Sequence, residues 1–355
     1  MYIASKCTLV IKYLKYTNPL IIYSLAIISF THSGLLCWLA MIYAWVLVPS
    51  IELLIKPNEE NMNDAEEELA KHDRGYDYLL YLVVLVQIPT LIFFLYSFTY
   101  SALQPLDIAG RVLTMGLLCG TFGINVGHEL GHRKNKFEQN LAKLSLLSSL
   151  YMHFFIEHNK GHHKNVATNS DPSSARYNEV LYFFYVRTIV YSYLSAWHIA
   201  NSEQKKSGKH IISVDNEMIQ IHLIQFFFVV SIYFVFGGMI TLYFLAAAFV
   251  GILLLETVNY IEHYGLQRKE IETGKFERTQ PTHSWNSNHV LGRVMLFELS
   301  RHSDHHYLAS RKYQILKHHC GAPQLPTGYP GSMLLALVPP LWFYLMNRKI
   351  KKLND

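Results

Sequence analysis

Three apolar segments of this chain run straight into histidine. Residues about 108–127 lead to His128-Glu-Leu-Gly-His132, residues 141–156 to His158-Asn-Lys-Gly-His162-His163, and residues about 239–261 to Glu262-His263. A further cluster, His302-Ser-Asp-His305-His306, follows a polar stretch. Few folds tolerate this arrangement. An apolar run of about 20 residues spans roughly 30 Å of hydrocarbon as a helix. A ring that wants a polar partner, set at the end of such a run, lies where the membrane meets water or inside a built site. The expectation is therefore an all-α integral membrane protein, a six-transmembrane-helix bundle with a cytoplasmic histidine-rich catalytic region.

The spans are expected at about 12–31, 35–55, 77–99, 108–127, 218–236 and 239–261, within one membrane-embedded domain covering residues 1–355. Composition agrees: 51% of residues are hydrophobic and 16% charged, against roughly 25% charged in a soluble domain. An acidic connector, 57–74, reads as partly helical. Residues 141–156 read as an interfacial or re-entrant helix, 179–203 as an amphipathic surface helix, and 332–346 as an apolar stretch short for a crossing. Lys6, Lys12 and Lys15 precede an uncleaved first helix, and Cys7, Cys37, Cys119 and Cys320 form no C-x-x-C pair. Six crossings put both termini and all clusters on one side. Arg133, Lys134, Lys136, Lys160, Lys164 and the basic C-terminal tail share that side, so the positive-inside rule makes it cytoplasmic. The net charge of +5 is scattered, which excludes a nucleic-acid interface.

On a helix, residues three or four apart share a face. His128 with His132, His158 with His162, and His302 with His305 are expected to pair in this way, with His163 and His306 each pointing aside. A vicinal pair can serve two ions. Two His-His pairs and nine imidazoles in all exceed the ligand positions of one first-row metal, so the pattern points to two metals. Glu129, Glu157, Glu262 and Asp304 are expected to orient ligand rings through the second ring nitrogen. The other ten of the 19 histidines read as packing or surface residues, with His283 and His289 the nearest further candidates. H-E-L-G-H also fits a zinc protease helix, but that reading leaves six of the nine rings without a role. A metal transporter would not need ligands clustered as H-x-x-H-H, and a purely structural membrane protein gives no reason for the clusters. Imidazole alone suits iron, copper or zinc. Inert C–H bonds require a redox metal and oxygen.

The strings NVGHELGHR (125–133), FFIEHNKGHHKNVAT (154–168), NYIEHYGLQR (259–268), HSWNSNH (283–289) and RHSDHH (301–306) resemble the signatures of the membrane-bound alkane 1-monooxygenases, relatives of the membrane fatty acid desaturases and hydroxylases. DPSSAR (171–176), DNE (215–217) and LPTGYPG (325–331) fit as well, and the likeness runs from about 106 to 346. The resemblance implies two non-haem iron ions held by His128, His132, His158, His162, His163, His263, His302, His305 and His306. It implies O2-dependent terminal hydroxylation of medium-chain n-alkanes drawn from the membrane lipids, with rubredoxin and its reductase supplying electrons. Residues 1–105 then help to form the substrate channel, and an acidic rubredoxin is expected to dock on Arg133, Lys134 and their neighbours. Ser300 stands where that family usually carries Gln. The nearest alternative is a fatty-acyl or lipid desaturase or hydroxylase of the same chemistry.

Overall fold

The computed structural model describes residues 13–100 and 102–354; Lys6, Cys7 and Lys12 lie outside them. Helix α1 (Pro19–Thr31) is the first long element. It has 13 residues and follows a 3-10 turn at Lys15–Thr17, whereas the sequence suggested one span over about 12–31. Pro19 explains the break: it has no N–H to donate to Lys15, and its ring crowds that carbonyl. At 1.5 Å per residue α1 covers about 20 Å, short of a bilayer core.

Next come α2 (Gly34–Leu54), α3 (Asp64–His72), α4 (Gly75–Tyr96) and α5 (Pro105–Gly131). Helix α3 lies in the acidic connector and starts at a capping box of Asn63 with Glu66. The region expected as one helix over 141–156 is two. Helix α6 (Lys136–Leu147) stops, the chain turns through Leu150 at φ 53°, and a new helical stretch, α7, occupies residues 154–165. A widened π turn inside α5, Cys119–Ile124, explains the break. Such a turn leaves backbone carbonyls free. Ser145 Oγ donates to Gly123 O at 2.8 Å and Ser149 Oγ to Cys119 O at 3.1 Å, which pins the end of α6 there.

Helix α8 (Leu181–Lys206) is followed by α9 (Glu217–Phe236) and α10 (Gly238–His263), separated at Gly237, whose φ of 83° suits glycine. An antiparallel hairpin, β1 (Glu270–Glu272) with β2 (Lys275–Phe276), precedes α11 (Val290–Met295) and α12 (His302–Tyr307). Last are α13 (Tyr329–Ala336) and α14 (Pro339–Asn354), bent by 119° at Pro339.

Helices α2, α4, α5, α9 and α10 are each long and apolar enough to cross a membrane, and α13 with α14 would make a sixth crossing if the bent pair is one span. Only 11% of the apolar window of α9 is buried, and Phe234 and Val235 are 80% and 72% exposed. So much outward apolar surface has no place in water, and the protein is a membrane protein. At the centre, α5 and α10 touch backbone to backbone. A Cβ on Gly120 would lie 2.9 Å from Gly251 O, and one on Gly251 would lie 2.7 Å from Cys119 Cβ. Small residues permit that approach, and it brings the histidine-bearing ends of α5 and α10 to one side of the bundle.

Candidate metal centre

Four elements deliver the nine histidines to one place. His128 and His132 come from the end of α5, His158, His162 and His163 from α7, His263 from α10, and His302, His305 and His306 from α12. They divide into two groups. His128, His132, His158, His163 and His305 form one, and His162, His263, His302 and His306 the other, with the candidate ligand atoms of each group within 4.8 Å of one another. Neither His283 nor His289 joins them. His283 faces Glu277, and His289 Nδ1 pairs with Ser287 Oγ.

The partition departs from the expected pairing in two places. His158 does not share a group with His162 but with His163, their Nε2 atoms 2.9 Å apart. The reason is local. Residues His158–His162 form a π turn, whose i→i+5 hydrogen bonds bring positions five apart onto one side. In α12, a regular helix, His302 joins His306 four residues on rather than His305. The expectation that each vicinal pair divides between two centres matches this geometry, since His162 and His163, and likewise His305 and His306, fall in different groups.

Within the five-ring group, His128 Nε2 lies 3.0 Å from His305 Nε2 and 3.2 Å from His132 Nε2, and His305 Nε2 lies 3.1 Å from His163 Nε2. In the four-ring group, His162 to His306 and His263 to His302 are each 3.2 Å, Nε2 to Nε2. A metal–imidazole bond of about 2.1 Å places neighbouring ligands of an octahedral ion about 3.0 Å apart. The donor sets therefore fit two first-row ions. Burial, and then the closeness of the other rings, holds His158, His163, His302, His305 and His306 well below the ordinary imidazole range. Their lone pairs are then free for metal at neutral pH. For His162 burial acts in the same direction, but the Asp171 carboxylate outweighs it and the pKa is raised.

The four carboxylates expected to orient ligands fare differently. Glu262 is at the centre, but it meets the ligand nitrogen and not the second one: its Oε2 lies 3.1 Å from His302 Nε2, and its Oε1 accepts from Tyr329 Oη at 2.6 Å, while His302 Nδ1 has no partner among the described residues. Glu157 is buried between His162, Asp171 and Gly161, with Oε1 unpartnered, and burial pushes its carboxyl up to about 8. Glu129 instead accepts from Arg133 at 2.7 Å and from the Tyr313 backbone N–H at 3.2 Å. Asp304 accepts from Arg311 at 2.8 Å, from Lys317 N at 2.9 Å and from His319, outside the nine, at 2.7 Å. Both brace the protein around the site rather than a ligand ring. Arg133, expected on a docking surface, is buried in the same ionic knot and also lies 3.5 Å from Asp77.

One orienting carboxylate escaped the sequence reading. Asp171 Oδ2 lies 2.9 Å from His162 Nδ1 and accepts from Ser174 Oγ at 2.6 Å, while Oδ1 accepts from Ser173 N at 3.1 Å. Asp-Pro is a turn-forming pair, and the chain turns at Pro172. The available signal was the run Asp-Pro-Ser-Ser-Ala-Arg just after the second cluster.

The loop before α12 is strained. Phe297 and Glu298 sit at φ 51° and 58°, a left-handed region that costs of order 1 kcal/mol per non-glycine residue. Glu298 holds it, accepting from Arg293 Nε at 2.6 Å, Tyr16 Oη at 2.7 Å and Lys15 Nζ at 3.0 Å. Despite burial, which raises it, Lys15 and Arg293 bring the Glu298 carboxyl down to about 2. A depressed folded-state pKa stabilises above the unfolded value of about 4.3, and that stability is lost as pH falls toward 2. Glu298→Gln is therefore expected to lower stability by about 3 kcal/mol at pH 7. The difference from wild type should shrink steadily as thermal unfolding is followed from pH 5 downward.

A narrow cavity of about 80 Å³ opens beside both groups. His128, His158, His302 and Glu262 line it together with Asn125, Asn259 and Tyr329, and Trp45, Leu117, Leu254, Val258, Leu299 and Met333 are among its apolar walls.

Comparison with known proteins adds what geometry does not. The profile of the fatty acid desaturase family matches residues 106–319. Alkane 1-monooxygenase 2 of Pseudomonas aeruginosa is 37% identical over 319 residues, covering 88% of this chain and 84% of that protein. Alkane 1-monooxygenase of Ectopseudomonas oleovorans is 38% identical over 294 residues, 82% of this chain and 73% of that protein. The hydroxylase component of the Pseudomonas putida xylene/toluene monooxygenase is 27% identical over 255 residues, 71% and 66% of the two chains.

Proposed function

This chain belongs to the alkane 1-monooxygenases within the fatty acid desaturase family, and from that premise we propose that it hydroxylates the terminal carbon of medium-chain n-alkanes, converting them to 1-alcohols. The net reaction puts one oxygen of O2 into the terminal C–H bond and releases the other as water, at the expense of two electrons and two protons. The observation that carries the reading is the largely apolar cavity lined by rings from both histidine groups.

The five-ring group would hold one iron and the four-ring group a second. The pair supplies the oxygen activation that the side chains cannot perform. The protein's own part is positional. Leu117, Val258, Leu299 and the other apolar walls align an extended chain with its end toward His128, His158 and His302 and keep water away. Glu262, fixed by Tyr329, offers a carboxyl oxygen beside His302 at the cavity wall. Among the described residues lining the cavity none is Lys or Arg. A fatty-acid carboxylate would find no cation there, which favours an unsubstituted hydrocarbon over the desaturase alternative.

Electrons would come from rubredoxin and its reductase. His132 and His163 are the part-exposed members of the five-ring group, and the exposed Lys134, Lys160 and Lys164 lie close by in the chain. We place the acidic partner over this edge in place of the buried Arg133, and we orient the histidine face toward the cytoplasm by the positive-inside rule. The test is a product assay with metal analysis. Iron-loaded membranes given rubredoxin, reductase, NADH and octane should form 1-octanol, and the purified protein should carry about two iron ions. Zinc in their place, or conversion of fatty acyl chains alone, would overturn the reading.

A further inference from the structure

We infer that the protons consumed at the histidine cavity arrive along a buried row of hydroxyls, Ser192, Ser173 and Thr188, and are held on Glu256 before release. This rests on the proposed function and specifies how its site is supplied with protons.

The reaction takes up two protons for each O2 reduced, yet the cavity walls are largely apolar. Helix α10 carries two buried carboxyls. Glu262 leads no further: its side-chain partners are His302 and Tyr329, and among the described residues Tyr329 Oη bonds to nothing else. Glu256 is placed differently. It is 1% exposed, and Asn259, which lines the cavity one helical turn on, donates to its Oε2 at 3.1 Å. Thr188 Oγ1 donates to the same oxygen at 2.8 Å, and Tyr151 Oη to Oε1 at 2.9 Å. All three donors are neutral. A carboxyl kept inside an apolar span without a cation beside it is costly, and such groups commonly mark proton relays.

From Thr188 the row runs outward. Its Oγ1 lies 3.5 Å from Ser173 Oγ, which lies 3.4 Å from Ser192 Oγ. All three residues are buried. Thr188, Ser192 and Ser195 are spaced four and three apart, so they form one polar line on α8. The outer end is one residue from the surface. Pro172 and Tyr191, which precede Ser173 and Ser192, line an outer hollow of about 550 Å³ together with Ser195 and the exposed Ser170. A hydroxyl both donates and accepts. Each can therefore take a proton from the outer side and pass its own inward, whereas a carboxyl can also hold one. A proton leaving Glu256 for the cavity is replaced through Thr188, Ser173 and Ser192 from solvent, and the row ends as it began. Asn259 relays no proton itself; it fixes the carboxyl at the cavity wall, and the last step spans one water.

The test is infrared spectroscopy of the iron-loaded protein in lipid nanodiscs on transfer into D2O, with kcat and KM for octane measured beside it. The carbonyl band of a protonated carboxyl that is missing in Glu256→Gln belongs to Glu256. Its exchange for deuterium should slow by at least about tenfold in Thr188→Val and in Ser173→Ala, and recover in Thr188→Ser. In the two slowed variants kcat should fall by about 10²-fold with a larger solvent isotope effect. KM should hold, because neither residue lines the cavity. Ser173→Ala keeps the backbone N–H that meets Asp171, so it decides alone if Thr188→Val fails to fold. Hydroxyls that only tie α8 to α10 would cost stability when removed but leave exchange as fast as before. Wild-type exchange in either folded variant, an unchanged kcat despite slowed exchange, or the absence of any band lost in Glu256→Gln overturns the route. If wild type forms no 1-octanol while exchange still slows in the variants, the route stands and the assigned reaction fails.

Discussion

Replacing His305 with alanine should lower 1-octanol formation by at least about 10³-fold and remove about half of the bound iron. His305 is the hub of its group, its Nε2 lying 3.0 Å from that of His128 and 3.1 Å from that of His163. Ligands to one ion act as a unit, so a second loss from the same group adds little. His163→Ala/His305→Ala should therefore hold about as much iron as either single variant. His162→Ala/His305→Ala takes one ring from each group and should hold almost none. Both doubles delete two imidazoles, and His162 and His163 are neighbours in the chain, so total ligand number and local disruption are nearly matched. Equal iron loss in the two doubles would refute the five-and-four division.

That division shows where a linear reading ends. The nine rings were recognisable because each cluster stands in a histidine spacing that a helix can use, and three of the four chain segments that carry them follow an apolar run. Their allotment to two groups was not, because it depends on the i→i+5 turn at His158–His162, which nothing in the residue types announces. The carboxylates fail in a related way. Glu129 is adjacent to His128, but its direction is set by Arg133 one turn on and by the backbone of Tyr313, 184 residues away. Asp171 precedes a proline, a turn-forming pair, and nothing local says that its Oδ2 meets His162. Likewise Pro19 shortened the first helix, and Leu150, at a positive φ that no leucine advertises, divided the segment leading to the second cluster. Periodicity identified faces; the partners of those faces came from distant parts of the chain. The substrate and the iron came from family likeness, which no spacing argument replaces.

Asp171→Asn should weaken iron binding by about 10–100-fold, the usual effect of removing a carboxylate behind a ligating histidine. Asp171 Oδ2 faces His162 Nδ1 at 2.9 Å, which directs the Nε2 lone pair toward the four-ring group and makes that nitrogen more basic. Asparagine keeps an oxygen for that ring N–H but carries no charge, so ring orientation survives while basicity falls. The readout is a chelator titration of the iron-loaded protein, with the KM for octane measured beside it. The loss should appear as iron released at lower chelator concentration, with KM unchanged because Asp171 does not line the cavity. Asp171→Ala also removes the acceptor for Ser174 Oγ and Ser173 N. It should therefore loosen the 171–174 turn and lower thermal stability, by about 1–3 kcal/mol, in addition to weakening the metal. If Asn holds iron as tightly as Asp while Ala only destabilises, then Asp171 is a turn residue and nothing more. The four-ring group would then owe its donor strength to burial alone.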